Sequence, residues 1–304
     1  MVEPTPRIGF VGLGNMGGRM ARQITASGTT VLGFDPRPEA PGEAGATSAE
    51  SAAALVRQTD VVLLSLPDSA VVEKVVYGDP AFLAAIREGQ VFVDLSTSSP
   101  DSTRRIASDM AERGAVYLDA GISGGAAAAE KGALTLMVGG DSNALERVRP
   151  VLDHFSQHVY HCGGSGAGHT VKLLNNFLNA VSLSATAEVM VAAKKAGLDL
   201  HTVLDVLNAS SGVNFATQNR FPKVIRGDYL KGGLTNTLML KDVRLYLELL
   251  GELGVPSLNA PGPVAAFGLA RSLGYADEIS NTVVDAIGDI SGGTRLHDEN
   301  GGEA

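Results

Sequence analysis

The sequence predicts an α/β protein in two parts, an N-terminal doubly wound sheet followed by an all-helical C-terminal domain. Three observations predict it. Short β-branched runs alternate with helical patterns as far as His161, the mark of a sheet built from βαβ units. A glycine-rich joint follows, Gly163-Gly164-Ser165-Gly166-Ala167-Gly168. Beyond the joint the strand signals stop, and helical periodicity runs almost to the end. These observations set boundaries of 1–164 for the sheet domain, 165–290 for the helical domain and 291–304 for a flexible, glycine-rich tail.

Strands are expected at 7–11, 30–34, 60–66, 91–94, 116–119, 134–138 and 159–161, joined as a parallel sheet. Helices between them include 15–27, 100–113 and 143–152. Met16, Met20 and Ile24 give the first an apolar stripe. The second opens on Ser99-Pro100-Asp101, with a capping serine, a proline in the first turn and an acid beside it. Past the joint, 169–196 holds no proline or glycine and stops at Gly197, a natural C-cap. At the usual rise per residue that helix is roughly 40 Å long. Further helices are expected at 202–209, 238–253, 261–273 and 277–287.

The 304 residues suffice for two domains, and 44% hydrophobic with 19% charged residues is a globular balance. A net charge of −9 argues against nucleic acid as a main partner, because phosphate binding needs a basic face. The single cysteine, Cys162, excludes a disulfide framework and suits a reducing cytoplasm. The first residues lack a signal-peptide pattern, and no apolar run approaches the length of a membrane span, so a cytoplasmic protein is expected. His154, His158, His161 and Cys162 lie close together, but their spacing fits no standard zinc motif. They are read as surface or packed residues, and no metal is expected.

The first strand runs into Gly12-Leu13-Gly14-Asn15-Met16-Gly17, which fits G-x-G-x-x-G. Gly12 permits the tight turn, Gly14 lets the backbone approach a pyrophosphate, and Gly17 lets helix pack on strand. Strand, fingerprint, amphipathic helix, second strand and a terminal acid, Asp35, come in the order of a Rossmann-like dinucleotide site. Asp35 favours NAD, since a carboxylate accepts from both ribose hydroxyls and repels a 2′-phosphate. Arg37 can pair with that phosphate or stand as a solvated surface charge, so NADP stays open.

Three more segments sit at strand or helix ends. Residues 94–100 carry Thr97, and 119–125 end in Ser123-Gly124-Gly125, either a serine beside two glycine amides that make an anion-binding concavity or turn glycines alone. Both lie at carboxyl ends of expected strands, where open parallel sheets bind ligands. The third, 166–176, opens the long helix. Lys172 and Asn176 project from one face of it, four residues apart. Flanked by Val171, Leu173 and Leu174, Lys172 is either a partly desolvated proton donor or a stem that packs while its head reaches water.

Taken together, these segments resemble the β-hydroxyacid dehydrogenase family, the group of 3-hydroxyisobutyrate and tartronate semialdehyde reductases, over nearly the whole chain. Residues 9–17 look like its opening signature, Ser123-Gly124-Gly125 its substrate loop and 168–176 its catalytic helix. Lys241-Asp242 is similar to a fourth motif. The resemblance implies Lys172 as general acid/base, with Ser123, Gly124, Gly125 and Asn176 on the substrate carboxylate. It places Thr97 beside substrate and nicotinamide ribose, and Lys241 near the nicotinamide. It implies a short anionic hydroxy acid or semialdehyde as substrate, and the long helix, with Phe177, Val181, Val189 and Val191 around it, calls for a homodimer or homotetramer.

Two departures stand out. Gly121 replaces the family's usual proline, which predicts a looser or differently shaped loop before Ser123, and residues 276–279 alter an aspartate-rich ending. The competing readings are an imine reductase of the same architecture, against which Lys172 speaks, and a non-catalytic NAD(H)-binding module. Residues 210–215 are expected as a loop between helices.

Overall fold

The computed structural model describes residues 6–230 and 232–297. The chain divides into two compact units, Met1–Lys172 and Leu173–Ala304. The first holds eight strands: β1 Ile8–Val11, β2 Val31–Phe34, β3 Thr47–Ser48, β4 Val61–Leu64, β5 Val91–Asp94, β6 Val116–Ser123, β7 Leu134–Gly139 and β8 Ser156–Gly163. They form one sheet in the order β3-β2-β1-β4-β5-β6-β7-β8. Its helices are α1 Gly17–Ala26, α2 Ala40–Glu43, α3 Ala52–Gln58, α4 Ser69–Tyr77, α5 Pro80–Ala84, α6 Pro100–Ala111, α7 Gly125–Glu130 and α8 Ser142–Leu152.

Both faces of the sheet's centre are covered, so β1, β4 and β5 are buried throughout, whereas the edge strands β3 and β8 are polar and largely exposed. Along β4, Val61 and Leu63 join the cluster containing Met20 and Ile24 of α1, whereas Val62 and Leu64 join that of Leu55, Val76 and Ile106. The expected stripe on α1 is therefore the packed one.

The sheet is not wholly parallel. β6 to β7 is antiparallel, pairing Asp119 with Gly139 and Ser123 with Thr135. The link between them is short and α7 takes most of it, whereas a parallel crossover needs a dozen or more residues. The short strand β3 carried no sequence signal of its own. Ser99 stands at the N-cap of α6, but its side chain makes no cap bond. Thr103 Oγ1 instead lies 3.0 Å from the Ser99 carbonyl, within reach to donate to it.

The long helix, α9 Ala167–Lys195, begins in the first unit and continues in the second. It ends at Gly197, φ +72°, where Leu198 N–H donates to the Ala193 carbonyl and Gly197 N–H to that of Lys194. That is a Schellman stop, available only because glycine adopts this φ freely. The second unit continues with α10 Leu200–Asn208, α11 Phe215–Asn219, α12 Phe221–Val224, α13 Asn236–Leu253, α14 Pro261–Ala270 and α15 Val283–Ile290. The helix expected to run to 273 passes at Arg271 into a wide turn that ends at Tyr275, with Gly274 at φ +98°.

Asn214 closes the expected loop at 210–215, accepting from Ala216 and Thr217 to cap α11. Residues 276–279 bracket the head of α13: Ala276 and Glu278 carbonyls accept from Thr237 and Asn236 N–H. Of the expected tail, 291–297 packs on the second unit, with Leu296 4% exposed and Arg295 bonded to Asp289 at 2.5 Å. Residues 298–304 lie outside the described residues.

Candidate active site

At the carboxyl edge of the first unit, β1 turns into α1 through the fingerprint. Gly12 has φ +87°, and a Cβ there would meet the Ser65 carbonyl at 2.3 Å. One on Gly17 would fall 1.9 Å from the Gly12 carbonyl, so loop and helix touch through bare backbone. On Gly14 it would meet nothing within 4 Å. Helix α1 starts without a side-chain cap and without an acid in its first turn. Glycines that close the turn, an open one at Gly14 and an uncapped helix start are what a dinucleotide pyrophosphate requires. The residues fit the cofactor.

Asp35, at the end of β2, reaches back to this loop. Its Oδ2 accepts Leu13 N–H at 2.7 Å and its Oδ1 accepts Arg37 N–H at 2.9 Å. Arg37 is not simply a solvated charge, although its side chain is half exposed. Its Nη2 donates to the Leu13 carbonyl at 3.1 Å and its Nε lies 3.5 Å from Asp35. Glu39 and Glu43 stand at 4.0 and 3.9 Å. Arg19 donates to the Asn15 carbonyl and to Glu130. Met16 is half-buried on the core beneath the loop.

One face of β6 organises the opposite side. Asp119, Gly121 and Ser123 alternate along it and therefore point the same way. The buried Asp119 carboxylate takes the N–H of Gly166 and of His169, both at 2.8 Å, and so fixes the head of α9. Two residues on, a Cβ at Gly121 would meet Lys172 Cβ at 2.5 Å and Cγ at 2.9 Å. The expected loose loop is absent: β6 is regular through Ser123, and Gly121 is where the Lys172 stem lies on the strand. Lys172 is 9% exposed. Ser123 closes the strand, and Gly124 and Gly125, at φ +123° and +67°, carry the chain into α7.

Thr97, half-buried, sits in a loop after β5 that Asp94 holds from beneath. Asp94 accepts from Ser96 N–H, Ser98 Oγ and Tyr117 OH at 3.0, 3.2 and 2.9 Å. Burial and this carboxylate push the Tyr117 phenol far up, so it stays a donor.

The second unit holds the other two candidates. Asn176 Nδ2 donates to Asp242 Oδ2 at 2.5 Å, and Lys241 Nζ lies 3.1 Å from Asp242 Oδ1. Asp242 is 1% exposed, so this carboxylate ties α9 to α13 while fixing one N–H of Asn176. Phe177 stacks on Tyr246 alongside, with centroids 3.8 Å apart.

Asp119, Asp94, His169 and Asp242 are the residues that sequence reading passed over. All four stood inside quoted motifs, and only their place next to a candidate could have flagged them. Cys162 is part-buried, which pushes its thiol up, away from a nucleophile. His161 Nε2 lies 2.8 Å from the Gly140 carbonyl. Among the described residues no group of three or more His, Cys, Asp or Glu side chains is gathered for a metal. No described helix is long and apolar enough to cross a membrane.

A doubly wound sheet with this fingerprint at its carboxyl edge defines a nicotinamide-dependent oxidoreductase. Residues 7–164 match the family model of the NAD binding domain of 6-phosphogluconate dehydrogenase, and 166–284 that of NADP-dependent 3-hydroxyisobutyrate dehydrogenase. A 2-(hydroxymethyl)glutarate dehydrogenase of Eubacterium barkeri is 35% identical over 96% of this chain and 98% of its own. An NAD-dependent L-serine dehydrogenase of Pseudomonas aeruginosa is 39% identical, over 89% and 94%. Among solved structures, a 3-hydroxyisobutyrate dehydrogenase of Mycobacterium tuberculosis with L-serine superposes with a TM-score of 0.85 at 31% identity, covering 94% of this chain and 99% of that one. The chain belongs to the 3-hydroxyisobutyrate dehydrogenase family of NAD(P)-dependent β-hydroxyacid dehydrogenases.

Proposed function

We propose that the chain oxidises the primary alcohol of a 2-substituted 3-hydroxypropanoate to its semialdehyde, and reverses the reaction, with Lys172 as general acid/base. The observation that carries this is the single face of β6. There Asp119 seats the helix, Gly121 receives the Lys172 stem, and Ser123 stands beside two glycine amides. The names of the relatives support the substrate class. 3-Hydroxyisobutyrate, L-serine and 2-(hydroxymethyl)glutarate are all 3-hydroxypropanoates that differ at carbon 2.

Held by residues 12–17 and Asp35, a nicotinamide cofactor would supply the hydride acceptor for oxidation and the hydride donor for reduction. Lys172 takes the hydroxyl proton in oxidation and gives it back to the carbonyl oxygen in reduction. Its packed stem holds the amine on a short tether, which favours one direction of transfer over the many a free lysine samples. Ser123, the amides of Gly124 and Gly125, and the uncommitted N–H of Asn176 hold the substrate carboxylate. Thr97 and Lys241 serve the nicotinamide end, and residues 12–17 with Asp35 hold the rest of the cofactor.

Helix α9 leaves Leu178 66%, Val189 46% and Leu174 42% exposed. We assign that apolar surface to further copies of the chain, in a homodimer or homotetramer. A reducing compartment such as the cytoplasm suits a chain with one cysteine.

The test is turnover of 3-hydroxypropanoates bearing methyl, amino or carboxyethyl at carbon 2, with NAD and with NADP. Lys172→Ala should lose about two to four orders of magnitude in kcat, the usual worth of a positioned proton-transfer group, while NADH still binds. Unchanged turnover in that variant would sink the assignment.

A further inference from the structure

We infer that His169 is a positioning residue. Through Asp94 it ties the head of α9, which carries Lys172, to the loop after β5, which carries Thr97. The inference rests on the reading of Lys172 and Thr97 as site residues and adds what couples them.

His169 is fully buried, one helical turn before Lys172. Its backbone is already held by Asp119. Its ring lies between two partners. Nδ1 stands 2.7 Å from Thr103 Oγ1, at the first turns of α6. Nε2 faces Asp94 Oδ2 at 3.9 Å and has no hydrogen-bond partner. A buried polar atom left unmatched in this way calls for an explanation.

Proton accounting supplies one. The Thr103 hydroxyl owns one proton, which it can give to Ser99 O or to His169 Nδ1. Were Nδ1 the donor in a neutral ring, Nε2 would turn a bare lone pair towards a carboxylate oxygen in a water-poor interior. Like partial charges so placed repel. A proton on Nε2 removes the conflict and aims a donor at Asp94, one small shift short of a hydrogen bond.

Asp94 is the residue that holds Ser96 and Ser98 on either side of Thr97. A donor from α9 to that carboxylate therefore sets the loop and the lysine helix against the same fixed point. The other titratable groups facing it are Tyr117, which donates to Asp94, and Asp119, which is paired with Asp94 across β5 and β6. Nothing in the hydride-transfer chemistry itself calls for a buried histidine here.

Two variants of the full-length protein separate positioning from packing. His169→Gln keeps a donor near the Nε2 position; His169→Leu keeps bulk and offers none. With a 3-hydroxypropanoate substrate and NAD, His169→Leu should lower kcat about ten- to a hundredfold, the cost of a reacting group displaced by about 1 Å. His169→Gln should recover most of the rate. Full kcat in His169→Leu, or equal losses in both variants, overturns the proposal. Should His169→Leu fail to fold, the imidazole nitrogen resonances of the parent protein decide: an unprotonated Nε2 overturns it. Lys172→Ala is assayed in parallel. If it is dead while His169→Leu runs at full rate, only the positioning role falls; if it turns over normally, the underlying site reading falls.

Discussion

Gly121 carries more of the site than its size suggests. Any side chain there would overlap the Lys172 stem, with Cβ to Cβ at 2.5 Å, where real contacts do not reach below 3.0 Å. Both atoms sit on stiff backbone, one in a paired strand and one in a helix, so the lysine must move. Gly121→Ala should therefore cut kcat about ten- to a hundredfold through displacement of the amine, and overpacking should cost about 1–3 kcal/mol of stability. A thermal melt beside steady-state kinetics reads both. Parental kcat in Gly121→Ala would show that the contact relaxes without consequence. At this scale the sequence was readable where a residue type is its own signal. Gly12 and Gly17 announce a close backbone approach, and both lie against backbone carbonyls that a Cβ would strike. It was unreadable where the role is a partnership at long range. Asp119 meets His169 across 50 residues, and Asn176 meets Asp242 across 66.

Elements were legible to the degree that their own periodicity defines them. The central strands β1, β4 and β5 alternate between two buried faces, and α9 stops at a glycine that only a C-cap explains. Strand direction is a different kind of fact. β7 runs antiparallel because the connection before it is too short to cross over, which is a property of the link and not of the strand. The turn from β2 shows the same dependence on neighbours. Asp35 is expected to receive ribose hydroxyls, yet it already anchors the Leu13 amide and lies against Arg37. Three carboxylates, of Asp35, Glu39 and Glu43, lie within 4.0 Å of the Arg37 guanidinium and offset its attraction for a 2′-phosphate. Asp35→Ala should consequently weaken NAD binding about ten- to a hundredfold, the worth of a charged hydrogen bond, and NADP binding by less. Calorimetric titration of each cofactor measures this. A larger loss for NADP would reverse the assigned preference.

At the scale of the whole molecule, each unit owns a core, and the second is built around α9. Phe177, Leu183, Met190 and Val191 of that helix are buried there. The same helix keeps Leu174 and Leu178, one turn apart, on a face that remains exposed, with Leu178 at 66%. A helix with apolar residues on both the buried and the open side has more hydrophobic surface than one domain covers. A net charge of −9 opposes a polar, like-charged contact between copies and favours an apolar seam as the meeting surface. Light scattering of the parent protein should then report a dimer or tetramer. In Leu178→Glu, a twofold interface loses the burial of two leucines and gains two carboxylates. The loss is about 3 kcal/mol or more, which weakens self-association roughly a hundredfold. The variant should dissociate at concentrations where the parent does not. A parent that stays monomeric at every concentration removes the oligomer altogether. An oligomer indifferent to Leu178→Glu keeps it but moves the seam away from this face of α9.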